Sequence, residues 1–584
     1  MSTSRPSRDP NGFDGADLLF ASVIGGAFAV ALLQLAIVNA AALLGRARLA
    51  HASIGDALRS LLRLPHHLGD PAVAWPTRVR ANLPGPVPYW IAAVLVLAAL
   101  ASLAYGVSLL FGRNREVPID KRRRLGVATQ PTLATRRDLA PLFTRRPQPN
   151  RFVLARYRRG YLSTEGTRHR GRRGVAGAVA VFGPSQSGKT TGLIDGVTTW
   201  TGPAVISSVK ADLLRATIAE RRRLGDVRVF DPLAITGLPS ATWTPLRAAR
   251  NLSGAVTAAG LLARTGADDA APGDRFWRGQ AEQLLAAMLF TAANVEGHTM
   301  RHVVRWVLDL DRPGTDTGAG TLAPLVRLLT EHDDPQVAIS ARQVQGWLHG
   351  QWDSDPRTTS SVYATARNAV WPWADPAIAD SAEGCNLTLE WLLDGANTLY
   401  LVAPLGDDTR IGLVFAAVLH DLIADAFTTY NRRGEPLDPR LLVVCDEAAN
   451  TPLPKLPQWA ATVSGAGVQL VTVWQSRAQL DTTYGRDADA VLTNHRSKLF
   501  YPSGLTDTAT TDYLSVLTGT EHVRADLTRR QFAGDPLRND DRERVATAVP
   551  YASADVLRRL HVGDALLVHG QLPPAWIAAD AHYE

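Results

Sequence analysis

Gly183-Pro184-Ser185-Gln186-Ser187-Gly188-Lys189-Thr190, with Thr191 after it, is the stretch from which the rest of the chain can be read. It follows the apolar run 175–182 and leads into a helix-compatible segment. Gly-x-x-x-x-Gly-Lys-Ser/Thr between a strand and a helix is a phosphate-binding loop. The spacing has a chemical reason. The two glycines let the backbone curl so that successive N–H groups face phosphate oxygens, and the helix N-terminus adds partial positive charge. Lys189 is placed to reach the β- and γ-phosphates of ATP, and the Thr190 hydroxyl to ligate Mg²⁺. Only five of the 62 basic residues are lysine, so a lysine here runs against the chain's own habit.

Two stretches downstream supply what such a loop needs. Leu441-Leu442-Val443-Val444-Cys445-Asp446-Glu447 is an apolar strand ending in two carboxylates, and ligands sit at strand C-termini in open α/β sheets. Asp446 would hold the Mg²⁺ shell, and Glu447 would take a proton from the attacking water. The run 468–474 ends in Gln475, whose amide would reach both γ-phosphate and water; an ordinary polar strand end fits equally. Asn494 is a second candidate of that kind. The expected catalytic set is therefore Lys189, Glu447 and Gln475.

Strand-like runs recur at 175–182, 203–207, 227–230, 397–403, 441–445, 468–474, 498–501 and 565–569. They are mostly continuous apolar runs with little alternation, as parallel strands buried on both faces should be. Helical segments such as 212–223 and 412–427 separate them, which is the α/β doubly wound pattern. From 251 to 384 the alternation stops. There Trp277, Ala281, Leu284, Leu285 and Met288 repeat at helical spacing, as do Val303, Val304, Val307 and Leu308. The pattern predicts an all-α domain, 251–384, inserted into a nucleotide-binding domain made of 174–250 and 385–584.

Upstream, 18–44 and 88–112 carry no charge, and each exceeds the ~20 residues that cross a bilayer. Tyr89 and Trp90 open the second run, where aromatic residues suit the interface. Residues 1–17 form a polar tail without the layout of a signal peptide. Residues 113–173 form a basic juxtamembrane connector holding 18 Lys+Arg against 4 Asp+Glu, a net +14, whereas the whole chain is +7. Basic residues directly after the second span place them in the cytoplasm. The expected protein is thus a multi-pass cell-membrane protein with a cytoplasmic motor and an external loop, 45–87. That loop holds six arginines (46, 48, 59, 63, 78, 80) against Asp56 and Asp70, which sits awkwardly with an external position. For the connector, anionic lipid and nucleic acid both remain partners. Two cysteines, Cys385 and Cys445, exclude a disulfide scaffold, and the 14 histidines show no ligand spacing.

In this order and spacing the chain resembles the type IV secretion coupling proteins, the membrane-anchored ATPases of conjugation (TraG/TraD-like), and most closely their actinobacterial branch. The likeness runs from the two spans and the loop at 183–191 through Ser207-Ser208-Val209-Lys210-Ala211-Asp212-Leu213 and Val229-Phe230-Asp231-Pro232. It continues through Trp243-Thr244-Pro245-Leu246, Phe276-Trp277, Ala403-Pro404-Leu405 and Asp446-Glu447 to Gln475-Ser476-Arg477-Ala478-Gln479-Leu480 and Leu517-Thr518-Gly519. The resemblance implies a RecA-like P-loop motor using ATP and Mg²⁺. It also implies a homo-hexamer around a DNA path, with the helical insert receiving a relaxase-bound single strand for a secretion channel. Many relatives carry an arginine before the strand that ends in glutamine, reaching the neighbour's phosphate. The matching stretch here, Val463-Ser464-Gly465-Ala466-Gly467, has none, which leaves Arg477 and Arg410 as candidates for a residue acting in trans. Lys210 and Asp212 match the family pattern, while Asp212 equally suits the first turn of a helix.

Two alternatives stand beside a DNA pump. One is an FtsK-type translocase of double-stranded DNA, which usually has four spans. The other is a receptor that docks protein substrates and uses ATP for assembly. The tail 1–17 carries −1, the loop +4 and the connector +14 of a total of +7, so residues 174–584 net about −10. Phosphate neutralisation favours a basic surface instead.

Overall fold

The computed structural model describes residues 15–111, 123–125, 127–128, 130–165, 168–169, 172–173, 177–263, 272–313, 320–404, 408–451, 453–527 and 543–578. The chain forms two units, Met1–Pro118 and Ile119–Glu584.

In the first unit two long helices, α1 (Gly15–Arg46) and α3 (Pro86–Phe111), flank a short one, α2 (Ile54–Arg63). Within α1 and α3, Gly25–Arg46 and Pro86–Gly106 are long and apolar enough to cross a membrane. Ala31, Val38, Ala41 and Ala42 of α1 and Ala92 and Ala93 of α3 belong to one small buried cluster; residues this small let two helix backbones approach closely. Trp75 donates its indole N–H to Tyr89 at 3.3 Å, which fastens the connecting segment to the start of α3.

The second unit is built on a nine-stranded sheet. Its strands are β1 (Val179–Phe182), β2 (Ala204–Ser208), β3 (Val227–Phe230), β4 (Thr398–Val402), β5 (Leu441–Cys445), β6 (Val468–Trp474), β7 (Ser497–Phe500), β8 (Asp564–His569) and β9 (Ala575–Ala578). The spatial order is β3-β4-β2-β5-β6-β1-β7-β8-β9. The first seven of that order run parallel, and β8 and β9 close the edge antiparallel. Each of the eight expected runs contains a strand, the first over Val179–Phe182 with 175–176 outside the described residues, and in this sheet β9 is additional.

The apolar runs have a physical reason. Side chains alternate across a strand, so Leu441, Val443 and Cys445 enter one core while Leu442 and Val444 enter the other. The same split occurs in β1, with Ala180 and Phe182 on one face and Val179 and Val181 on the opposite one. A strand covered on both sides favours apolar residues at successive positions, and the polar residues it does bury, such as Thr472, are hydrogen-bonded.

Between β3 and β4 the described residues form helices and no strand. They include Leu252–Ala263, Pro272–Asn294, Met300–Leu308, Leu322–Leu329, Pro335–Trp352 and Pro356–Val370. Leu284 to Phe290 are buried without a break, so the second of these is a central helix enclosed by its neighbours. Trp243 and Arg247, just before this segment, bond Asp421 at 3.0 Å on the long helix Asp408–Arg433. That helix exceeds its expected span, 412–427, at both ends. Its stretch Arg410–Arg433 is also apolar enough to cross a membrane, but it is 72% buried inside this unit and is a core element.

The connector is more than a tether where it is described. Phe143–Thr144, Val153–Tyr157 and Gly160–Ser163 form a small antiparallel sheet, and Phe152, Leu154 and Leu162 join the second core. Arg156 donates to both oxygens of Asp195, at 2.8 and 3.0 Å. One of the connector's basic residues is thus spent on the fold.

Candidate nucleotide site at the strand ends

Because β2, β5, β6 and β1 are parallel neighbours, their C-terminal ends lie along one edge. The phosphate-loop sequence follows β1, Gln475 follows β6, Asp446 and Glu447 follow β5, and Lys210 follows β2. Topology alone therefore gathers Lys189, Asp446, Glu447, Gln475 and Lys210. The strand ending in Gln475 stands between the loop's strand and that of the carboxylates.

The loop is held by its glycines. A Cβ on Gly183 would lie 2.6 Å from Ser187 Oγ and 2.8 Å from Tyr501 O. Gly188 has φ +98° and caps the helix Lys189–Thr198; at that φ a side chain is strained. Gly183 N–H donates to Trp474 O at 3.1 Å, and Gly563 N–H donates to Ser187 O at 3.2 Å. Gln186 also takes a left-handed conformation, φ 63°.

Lys189 Nζ donates to the carbonyls of Gly183 and of Pro184, the latter at 2.6 Å. Burial lowers its pKa, while Asp446 and Glu447 act in the opposite sense. Among the described residues Ser187 Oγ is buried with no hydrogen-bond partner. An ammonium held only by its own loop's carbonyls, on a loop that also carries an unpaired buried hydroxyl, leaves donors available. Such a set fits a polyphosphate.

Asp446 accepts from Ser208 Oγ at 3.0 Å and donates its own N–H to Ser207 O at 2.8 Å. Burial pushes its carboxyl up to about 6, with the Ser208 hydrogen bond opposing the rise. Glu447 sits in the left-handed region, φ 57° and ψ 59°. One of its oxygens lies 3.7 Å from Lys210 Nζ, and the other accepts from Asn450 Nδ2 at 3.1 Å.

Ser208 and Asn450 were not singled out in the sequence. Ser208 stands in a quoted stretch, and the signal that could have found it is its position at the tip of the strand next to Asp446. Gln475 is exposed, and its N–H donates to Gln479 Oε1 at 2.8 Å. Asn494 lies elsewhere: its amide donates to Pro457 O at 3.1 Å, joining two helices. Asp212 opens the helix Asp212–Leu224 and faces Arg215 at 4.0 Å. Arg477 is engaged within its own chain, 2.8 Å from Asp489, 3.6 Å from Asp481 and over the Tyr513 ring at 4.9 Å. Arg410 is 4.0 Å from Asp375.

The family model for Type IV secretory system Conjugative DNA transfer matches residues 135–544, more than half of the chain. The chain belongs to that family. Within it, Conjugal transfer protein TraG of Escherichia coli is 26% identical over 387 residues, covering 62% of this chain and 58% of TraG. The chain thus spans somewhat over half the length of that relative. Among solved structures, the bacterial conjugative coupling protein TrwBdeltaN70, in a trigonal form with sulphate, superposes with a TM-score of 0.57. It is 16% identical, and the match covers 80% of this chain and 96% of that one. The plasmid coupling protein TrwB in complex with ADP and Mg²⁺ gives a TM-score of 0.51 at 18% identity, covering 69% and 85%. This conjugative-transfer family member therefore shares the TrwB fold.

Proposed function

We propose that this protein is a membrane-anchored ATPase that couples ATP hydrolysis to delivery of DNA into a type IV secretion channel. The observation that carries the reading is the convergence of Lys189, Asp446 and Glu447 at the ends of β1 and β5, with β6 between them. Family membership and the nucleotide-bound TrwB relative support it.

Each residue has a task its surroundings suit. Lys189 leaves the Gly183 and Pro184 carbonyls to neutralise β- and γ-phosphate oxygens, helped by the N–H groups at the start of the helix. Thr190 and Asp446 would hold Mg²⁺, which when bound neutralises charge developing between β- and γ-phosphate. Glu447 accepts the proton of the attacking water through the oxygen nearer Lys210, while Asn450 fixes the other. Gln475, exposed at the tip of β6, orients that water.

In this reading α1 and α3 anchor the protein, the motor lies in the cytoplasm, and six copies form a ring around a relaxase-bound single strand. The helices within 251–384 form the inserted domain that receives it. Assembly brings in a residue from the next copy, with Arg477 or Arg410 released from its own chain. The negative charge of residues 174–584 favours a second reading, a receptor for protein substrates. ATP turnover of the full chain, with single-stranded DNA, double-stranded DNA or neither, separates the two. A DNA pump is stimulated by DNA and loses that stimulation steeply with salt. Flat turnover on both DNA forms at low salt would replace the pump by the receptor.

A further inference from the structure

The segment between α1 and α3 contains a helix that buries polar residues beside Ala57 and exposes large apolar ones. In α2 the polar Asp56 and Ser60 are buried, at 4% and 1% exposure, while Ile54, Leu58 and Leu62 are 39%, 41% and 80% exposed. The inward side has a reason. Ser53 and Asp56 form a capping box, and Asp56 also meets Arg78 Nη2 at 2.5 Å. The ion pair thus ties α2 to the chain leading into α3.

The outward side has none within the protein. At about 100° per residue, Ile54, Leu58 and Leu62 form one continuous apolar stripe, and Arg59 and Arg63 line its flank. Leu68, 57% exposed, follows α2 in the chain, and its carbonyl accepts from Trp90 Nε1 at 3.1 Å at the start of α3. Leu68 also shares an apolar groove with Pro86, Trp90, Ile91, Val94 and Leu95. An exposed leucine shortly after α2 is thus seated on the outer surface of a helix apolar enough to cross a bilayer.

We propose that α2 is an interfacial helix. Ile54, Leu58, Leu62 and Leu68 enter the headgroup–acyl boundary, and Arg59 and Arg63 bond anionic lipid phosphates. An apolar sector with arginines along its flank is the pattern of helices that lie in that plane, and arginine stems reach outward while their stripe stays buried. This accounts for five of the six arginines that made the loop look misplaced, Arg48 being the exception. Arg46 donates to Ala81 O, Arg78 holds Asp56, Arg80 faces Asp70 at 3.8 Å, and Arg59 and Arg63 are left for the lipid.

The proposal rests on membrane anchoring, and its test separates the two. Full-length protein with Cys385→Ser, its other cysteine Cys445 being buried, and one added reporter cysteine, Leu62→Cys, Val94→Cys or His66→Cys, is labelled with an environment-sensitive fluorophore. It is then reconstituted in phosphatidylcholine vesicles with or without phosphatidylglycerol. Spin-labelled lipids quench from within the bilayer, and iodide quenches from water. The expected result is lipid quenching at 94, water quenching at 66, and quenching at 62 that places the label about 5–10 Å below the headgroup surface. Adding Arg59→Gln and Arg63→Gln should move the label at 62 outward in phosphatidylglycerol vesicles only. Water quenching at 62 with lipid quenching at 94 overturns the interfacial helix and leaves the anchor standing. Water quenching at 94 overturns both. An unchanged depth at 62 in the double variant overturns the headgroup contact.

Discussion

Lys210 Nζ lies 3.7 Å from Glu447 Oε1, although the two residues belong to different strand ends 237 positions apart. The contact pairs a cation with the carboxylate proposed as general base, and Asn450 holds the other oxygen. Lys210→Met should leave nucleotide affinity intact and slow hydrolysis by about ten-fold through misplacement of the base, with Lys210→Arg recovering part of the rate. Single-turnover rates beside nucleotide titrations make the comparison. An equal loss of affinity would move Lys210 from positioning the base to binding phosphate.

Lys189 and Glu447 should fail differently. Lys189→Ala removes the positive charge at the phosphates and should abolish nucleotide binding. Glu447→Gln keeps that charge and should bind ATP while hydrolysing it roughly 10²–10⁴-fold more slowly. Loss of binding in both variants would be incompatible with the assigned roles.

A packing prediction concerns the helix behind the loop. A Cβ on Gly192 would come within 2.2 Å of Tyr501 Oη, so Gly192→Ala should destabilise by about 1–3 kcal/mol through overpacking. Adding Tyr501→Phe removes the clashing hydroxyl and should return a good part of that loss. Urea unfolding of the single and double variants forms the cycle, and strict additivity would refute the contact.

Arg477 already has partners in its own chain, so its service to a neighbouring copy requires their release. Mixing wild-type with Arg477→Ala subunits should lower activity more than in proportion if it completes a neighbour's site. A linear fall leaves it a structural residue, held by Asp489, Asp481 and Tyr513, and turns the test to Arg410.

The pH dependence of stability has opposing sources. His495 is buried, with Nδ1 2.6 Å from Val491 O and Nε2 3.1 Å from Thr472 Oγ1. A carbonyl only accepts, so the neutral ring carries its proton on Nδ1, and burial lowers the pKa from 6.5 to about 4. Between those values the unfolded chain binds the extra proton, so stability falls as pH drops from 6.5 toward 4, by at most about 3 kcal/mol. Asp446, raised to about 6 from 3.8, works the other way: the folded chain binds its proton first, and acid stabilises it over that window. In an Asp446→Asn background the urea midpoint should therefore fall from pH 7 to pH 5, and His495→Gln should remove much of that fall. A flat profile in that background would contradict the burial of a neutral His495.

The parallel sheet was legible because burial on both faces leaves an unbroken apolar run, which a sequence displays directly. The phosphate-loop residues were legible because their glycines are required by backbone geometry. Strand β9 was not: Ala575–Ala578 is four residues long, and Trp576 on it is 53% exposed, so it lacks the doubly buried signature. Ser208 and Asn450 were hidden for another reason. Their importance comes from pairing with Asp446 and Glu447 across strand ends and a tight turn, which residue type alone does not announce. The partners of Arg477, a candidate to act in trans, were hidden because Asp489 and Tyr513 reach it only through the folded packing of their helices. The buried face of α2 escaped notice because Asp56 finds its cation 22 positions later.

The hydrogen bond from Gly563 to Ser187 has a consequence for synthesis. The phosphate loop leaves the ribosome nearly four hundred residues before the backbone group that fastens it, and Tyr501, which walls Gly183 and Gly192, is also late. Chains that terminate early therefore carry an incompletely braced loop, whatever the state of their first strands. If the loop holds nucleotide as proposed, chains cut short before residue 563 should bind ATP more weakly than the full chain.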